Sequence, residues 1–165
     1  MTSITPFLWF DRGQAEDAAR FYTSVFPDSR IDSIDRTPAD NPSTKEGEVL
    51  TISFTLRGQQ FIALNGGPNF HFNEAVSFWV DCKDQAEIDR YWEALTANGG
   101  EPGQCGWLKD RFGLSWQVFP RRMNELFSSP DREGAKRAFE AMLKMQKINM
   151  AEIEAAFDRA PVGAR

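Results

Sequence analysis

Histidine and cysteine are nearly absent from this 165-residue chain, which holds one His (His71) and two Cys (Cys82 and Cys105). The cysteines lie far apart with no C-x-x-C, which excludes both a disulfide framework and a zinc ribbon. No run approaches the roughly 20 apolar residues that span a bilayer, so no membrane partner is expected. The opening Met1-Thr2-Ser3-Ile4-Thr5-Pro6 lacks a basic segment, so no secretory signal is expected either, and the compartment implied is the cytoplasm. Excess positive charge is missing as well. With 19 Lys+Arg against 24 Asp+Glu and a pI near 5.0, a nucleic-acid partner held by phosphate neutralisation is excluded. What the chain does have is aromatic residues, 13% of the total, with 14 Phe and 5 Trp. Its length suits about one domain, able to bury a sizeable core without staples.

Charge divides the chain. Residues 1–120 carry a net −7 and residues 121–165 a net +2, with the seam near Pro120-Arg121-Arg122. A strand-rich body, 1–120, and a helical extension, 121–165, are expected. The +2 is too small to imply a polyanionic partner.

Along the body, Ile4–Phe10 reads as a buried strand. Asp11-Arg12-Gly13-Gln14 has capping-box spacing ahead of a helix whose apolar stripe is Ala15, Ala18, Ala19, Tyr22 and Phe26. Arg30–Arg36 reads as a strand, and a loop with Pro38 and Pro42 follows. Val49–Leu56 alternates cleanly and turns at Arg57-Gly58 into Gln60–Asn65. The order then recurs: strand Ala75–Asp81, a helix capped by Asp84-x-x-Glu87 and ended by Asn98-Gly99-Gly100, then strands Gly103–Lys109 and Gly113–Phe119 around Asp110, a turn residue. After Pro120 come a short helix, a second capped by Ser129, and a third opened by Asn149-x-x-Glu152. Residue identities repeat as well. At a shift of 71 positions Phe7 meets Phe78 and Gln14-Ala15-Glu16 meets Gln85-Ala86-Glu87; at 55, Gly58 meets Gly113 and Phe61 meets Trp116. The fold class expected is α+β, a duplicated βαβββ arrangement with modules at about 4–66 and 74–120 plus C-terminal helices.

That order resembles the vicinal-oxygen-chelate superfamily, the glyoxalase and bleomycin-resistance fold. Within it, Thr5-Pro6-Phe7-Leu8-Trp9-Phe10-Asp11, Arg20-Phe21-Tyr22-Thr23-Ser24-Val25-Phe26-Pro27, Ala63-Leu64-Asn65-Gly66-Gly67-Pro68, Phe72-Asn73-Glu74-Ala75, the stretch Gln104–Gln117 and Lys144-Met145-Gln146-Lys147-Ile148 are similar to the PhnB-like family, often labelled 3-demethylubiquinone 3-methyltransferase-like. The resemblance extends over nearly the whole chain, tail included. It implies a sheet cupped around a site. It also implies where metal-dependent members hold a divalent ion: within Ile4–Phe7, near Ala63, near Ala75–Ser77 and at Gln117. Those positions lack the carboxylate or imidazole that such an ion needs, so no metal and no cofactor are expected.

Other chemistry finds little support. His71 is a candidate general base as a residue type, with Glu74 as orienter only if their loop folds back; otherwise it is a loop histidine. Cys105 needs a thiolate-stabilising neighbour such as Lys109 to be reactive, and is otherwise a small buried hydrophobe. A methyltransferase would need a glycine-rich turn opening a helix, and neither Gly66-Gly67 nor Gly99-Gly100 does so. Whether the chain is an enzyme stays open; the alternatives are a metal-dependent enzyme with displaced ligands such as His71 and Glu74, or a methyltransferase-like activity as the family label suggests.

A pocket remains. Leu50, Ile52, Phe54, Val76, Phe78, Val80, Leu114, Trp116 and Val118 suit the helix-covered face of the sheet. Their alternates Thr51, Ser53, Phe61, Asn65, Ser77, Trp79, Trp107, Ser115 and Gln117 mix aromatics with neutral hydrogen-bonding groups, a lining suited to a small organic ligand. Ser53, Phe61, Asn65, Ser77, Trp79, Cys105, Trp107 and Gln117 are the candidate ligand-binding residues. The alternative is that these side chains fill the cup or face a second subunit, since alternation fixes which residues share a face but not which face is inside. In the tail, Ala135, Ala138, Phe139, Met142, Met145 and Gln146 form an apolar helical stripe suited to docking on the body or to homodimer formation.

Overall fold

The computed structural model describes residues 4–11 and 13–159. Two compact units divide at Phe72 and Asn73. In the first, β1 (Phe7–Phe10), α1 (Gln14–Val25), β2 (Arg30–Arg36), β3 (Val49–Leu56) and β4 (Gln59–Asn65) form a sheet of order β1-β4-β3-β2. In the second, β5 (Phe78–Asp81), α2 (Gln85–Thr96), β6 (Glu101–Pro102), β7 (Trp107–Lys109) and β8 (Ser115–Phe119) repeat it as β5-β8-β7-β6. In each sheet the first strand runs parallel to the last and the remaining neighbours are antiparallel, which defines a βαβββ module made twice. The shift of 71 carries β1 onto β5 and α1 onto α2 without offset. No described helix is long and apolar enough to cross a membrane.

Each helix covers one face of its own sheet. The α1 stripe of Ala15, Ala18, Ala19, Tyr22 and Phe26 is buried, against Ile52 and Phe54 of β3 among others. The three alanines bring the helix backbone close to the sheet, and Tyr22 stacks on Phe54 with centroids 6.2 Å apart. At Arg57-Gly58 both residues have positive φ, 47° and 87°, so a two-residue turn of the hairpin type sets the β3–β4 register. Antiparallel partners point to the same side, so Phe61, opposite Phe54, and Ala63, opposite Ile52, belong to the helix face.

The start of α1 departs from the expected capping box. Its N-cap is Gly13 at φ 79°, with no side-chain cap of its own, while the carbonyl of Asp11 accepts from Gln14 N at 3.1 Å. The cap comes instead from the end of β4: Asn65 Oδ1 accepts from Ala15 N at 3.0 Å, and Asn65 Nδ2 donates to Val49 O at 2.9 Å. The α2 start is as expected, with Asp84 Oδ1 accepting from Glu87 N at 2.9 Å.

Strand β1 begins at Phe7 rather than Ile4 and β8 at Ser115 rather than Gly113, and other boundaries differ through local hydrogen bonding. Asn73 Oδ1 accepts from Ala75 N, making a turn that delays β5 to Phe78. The stretch expected as strand Gly103–Lys109 contains a hairpin turn, with Cys105 at φ 58° and Gly106 at φ 84°, so the strand begins at Trp107. The helix expected to be capped by Ser129 is capped by Asp131, whose Oδ1 accepts from Gly134 N, because the Ser129 hydroxyl is taken by Asp131 N.

The tail packs on the second unit as α3 (Arg121–Phe127), α4 (Arg132–Met142) and α5 (Met150–Asp158). Helix α4 ends at Met142, and the segment after it straps across the Cys105-Gly106 turn. There the carbonyls of Met145 and Gln146 accept from the amides of Cys105 and Gly106 at 2.8 and 2.7 Å. Ile148 lies so close that a Cβ at Gly106 would meet its side chain at 2.9 Å. Gln85 clamps the strap by donating to Ile148 O and accepting from Met150 N.

Asn65→Ala removes both the α1 cap and the tie to Val49. It is expected to lower the unfolding free energy by about 2 kcal/mol in urea titration; a loss below about 0.5 kcal/mol, the usual scatter for surface changes, would contradict that role.

Candidate functional site on the second sheet

The turn between β7 and β8 is built around Asp110, a carboxylate only 2% exposed rather than the solvated turn residue expected. Its Oδ1 accepts from the amides of Phe112 (2.8 Å) and Leu114 (3.1 Å), and its Oδ2 from Trp116 Nε1 (2.8 Å). Gly113, at φ 84°, closes the turn by donating to Asp110 O at 2.8 Å. With the turn fixed, β8 can take one register against β7: Lys109 opposite Ser115, Leu108 opposite Trp116, Trp107 opposite Gln117. Leu108, Trp116 and Val118 are buried, and α2 packs over their strands. The alternates form the other face.

On that face β5 adds Trp79 beside Gln117, giving a row Trp79–Gln117–Trp107 across three strands. Gln117 Nε2 donates to Ser77 Oγ at 2.9 Å, leaving its amide carbonyl for another donor among groups of neutral charge. Trp79 is 41% exposed, yet its indole is fixed: Nε1 donates to Phe119 O at 2.9 Å, and its ring stacks on Phe119 with centroids 5.4 Å apart. Arg121, which the sequence reading did not single out, flanks it, with its guanidinium 5.8 Å from the indole centroid and paired with Asp81 at 2.9 Å.

Beside Trp107 the sheet carries a second group of polar atoms. Lys109 Nζ pairs with Glu74 Oε1 at 2.6 Å. The hydrogen bond and charge of Lys109 hold the Glu74 carboxyl below the usual range, and the same contact raises Lys109. Glu74 is therefore committed to Lys109 rather than orienting His71, which is exposed in its loop. Ser115 is 1% exposed, and its Oγ is the one buried side-chain oxygen or nitrogen among the described residues with no hydrogen-bond partner. An unmade buried hydroxyl bond costs about 1–3 kcal/mol. Ser115 borders a cavity of about 180 Å³ shared with Trp107, Lys109 and Glu74. A larger hollow of about 430 Å³ lies between α4 and α5, a furrow rimmed by the charged side chains of Arg137, Glu140, Lys144, Glu152 and Arg159.

Of the remaining candidate residues, Ser53 lies partly exposed on the uncovered face of the first sheet, opposite Ser33 and Ile62. Phe61 and Asn65, expected with it, sit on the helix-covered face instead, Phe61 stacked on Phe54 at 5.5 Å and Asn65 capping α1. Cys105 belongs to the turn before β7, not to the strand, and Lys109 is engaged by Glu74 rather than free to stabilise its thiolate.

A family model described as 3-demethylubiquinone-9 3-methyltransferase matches residues 2–119. A PhnB protein from Bacillus cereus is 37% identical over 72% of this chain and 99% of its own, with a TM-score of 0.63. A protein from Pseudomonas aeruginosa shares the fold at 18% identity, 73% and 98% coverage and a TM-score of 0.58. No curated protein matches. The two βαβββ modules have the order that the resemblance to the vicinal-oxygen-chelate fold implies. The chain belongs to the PhnB-like, 3-demethylubiquinone-9 3-methyltransferase family. The family match ends at Phe119, so the helical tail lies outside it.

Neither group that these names suggest fits the residues present. For a divalent ion, the position near Ala63 points into the helix-covered core, its neighbours Ile62 and Leu64 are aliphatic, and Gln117 offers an amide. No cluster of three or more His, Cys, Asp or Glu that could hold a metal occurs among the described residues. For an adenosyl cofactor, Gly66 and Gly67 follow β4 and Gly99 and Gly100 follow α2, so neither pair forms a strand–turn–helix cradle.

The cysteines differ in burial. Burial pushes the Cys82 thiol up to about 12, assisted by the nearby Glu87 and Asp81 carboxylates, whereas Cys105 is partly exposed. Because the thiolate is the nucleophile and Cys82 stays protonated at pH 8, a disulfide reagent should modify Cys105 alone in the native protein, and Cys82 only after unfolding. Rapid modification of both would contradict the burial of Cys82.

Proposed function

We propose that this chain is a small-molecule-binding protein that holds an organic ligand on the uncovered face of its second sheet, without a divalent metal. The observation that carries this reading is the Trp79–Gln117–Trp107 row. Two partly exposed indoles flank an amide whose nitrogen is already tied to Ser77, so a planar ligand can lie against aromatic surface while the Gln117 carbonyl accepts a hydrogen bond from it. The acidic composition and the absence of a long apolar helix among the described residues agree with a cytoplasmic protein that engages neither nucleic acid nor membrane. The methyltransferase description of the family finds no strand–turn–helix cofactor cradle among the described residues to support it.

The reading includes a homodimer, for which the exposed apolar side chains of Phe139 and Leu143 offer contact surface. Light scattering is expected to give twice the chain mass of 18.7 kDa; a single-chain mass across the working concentration range would contradict it.

Thermal denaturation with chelator present tests the ligand face, using a library of planar heteroaromatic compounds. A true ligand at about a hundred times its Kd should raise Tm by roughly 5–10 °C. That shift should disappear in Trp107→Ala and Gln117→Ala but persist in His71→Ala. A stabilisation that requires a stoichiometric divalent ion and vanishes in His71→Ala, or no stabilisation by any compound, would overturn the reading.

A further inference from the structure

The cavity beside Trp107 is bordered by a serine whose buried oxygen has nothing to bond, next to a cation whose partner comes from a loop. Ser115 Oγ is buried and unpartnered on β8, directly across the strand pair from Lys109. The Lys109 ammonium is satisfied by Glu74, which lies in the turn before β5, and the glutamate side chain is 61% exposed. Pro102 and Gly103 close one side of the cavity, where a Cβ at Gly103 would meet the Trp107 carbonyl at 2.7 Å, so this edge tolerates no larger residue. The volume of about 180 Å³ corresponds to about six waters, enough for a compact organic molecule.

We propose that this cavity takes a monocarboxylate, which displaces Glu74 from Lys109 Nζ and accepts a hydrogen bond from Ser115 Oγ. This rests on the reading of the second sheet's uncovered face as a ligand site, and it names the ligand's chemical class. Glu74 is itself the stand-in: a carboxylate already on the lysine, held by an exposed side chain that can swing into solvent, so exchange leaves the charge of Lys109 compensated. The incoming carboxylate has the second oxygen that Ser115 lacks. Glu101 also borders the cavity, so a dianion such as phosphate would meet two glutamates against one lysine and is disfavoured. No bond is made or broken in this step; it is an exchange of ion partners.

Benzoate and its neutral isostere benzamide test it, titrated into the full chain with the Trp107 indole N–H followed by NMR. Benzoate is expected to shift that resonance and to bind at least tenfold more tightly than benzamide, the scale of a hydrogen bond to a charged group. Ser115→Ala and Lys109→Gln are expected to weaken benzoate about tenfold each. Glu74→Gln, by removing the competitor, is expected to tighten it several-fold, an effect a merely structural ion pair would not give. Equal binding of benzamide would overturn the carboxylate assignment while leaving the ligand face standing. Benzoate binding unaffected or weakened by Glu74→Gln would overturn the displacement. If benzoate does not bind while a neutral heteroaromatic compound still shifts the Trp79 and Trp107 indoles, this assignment alone fails; if no compound shifts either indole, the ligand-face reading fails with it.

Discussion

One buried carboxylate organises the second module. Asp110 gathers two backbone amides of its own turn and the indole N–H of Trp116, so a single side chain fixes both the turn geometry and the first large core residue of β8. A carboxylate this buried persists only because donors converge on it. The consequence reaches the opposite face. A slip of one residue between β7 and β8 would send Trp116 outward and Gln117 inward. The facing of Lys109 with Ser115, and of Trp107 with Gln117, therefore follows from an interaction that lies on the other side of the sheet.

The two modules use one architecture for different ends. At the equivalent place in the first module stands Thr55, whose hydroxyl donates to Asp32 Oδ2 at 2.6 Å, and the β3–β4 register is set by the Arg57-Gly58 turn instead. The shift of 55 puts Ile62 where the second module has Gln117, and Gln60 where it has Ser115. The second sheet thus has a half-used amide and an unpartnered hydroxyl at these two places. The first module uses the buried side chain of Asn65 to join α1 to the sheet.

Much of this was legible in the sequence, and what was not has a common physical cause. Alternation in Val49–Leu56, the Arg57-Gly58 turn, the alanine stripe of α1 and the Asp84 cap are local signals, and the structure follows them. The repeat was legible too, and it held information that strand-by-strand alternation missed. Phe61 is the counterpart of Trp116, so both belong under a helix, whereas counting faces in each strand separately set Phe61 beside Ser53. The α1 cap could not be read from Asp11 because the acceptor, Asn65 Oδ1, lies fifty residues from the Ala15 amide that it caps. Asp110 looked like a solvated turn residue because nothing local shows that Trp116 turns back onto it. The orphan hydroxyl of Ser115 is likewise a property of packing, not of spacing.

Native-state hydrogen exchange of the Trp116 indole and of the Phe112 and Leu114 amides tests most directly whether Asp110 sets the register that builds the Trp79–Gln117–Trp107 row. All three protons should exchange as slowly as the core amides of β8, opening only with global unfolding. Exchange at the rate of an exposed turn would show that the carboxylate does not hold them, and that the register of β7 and β8 rests on something else.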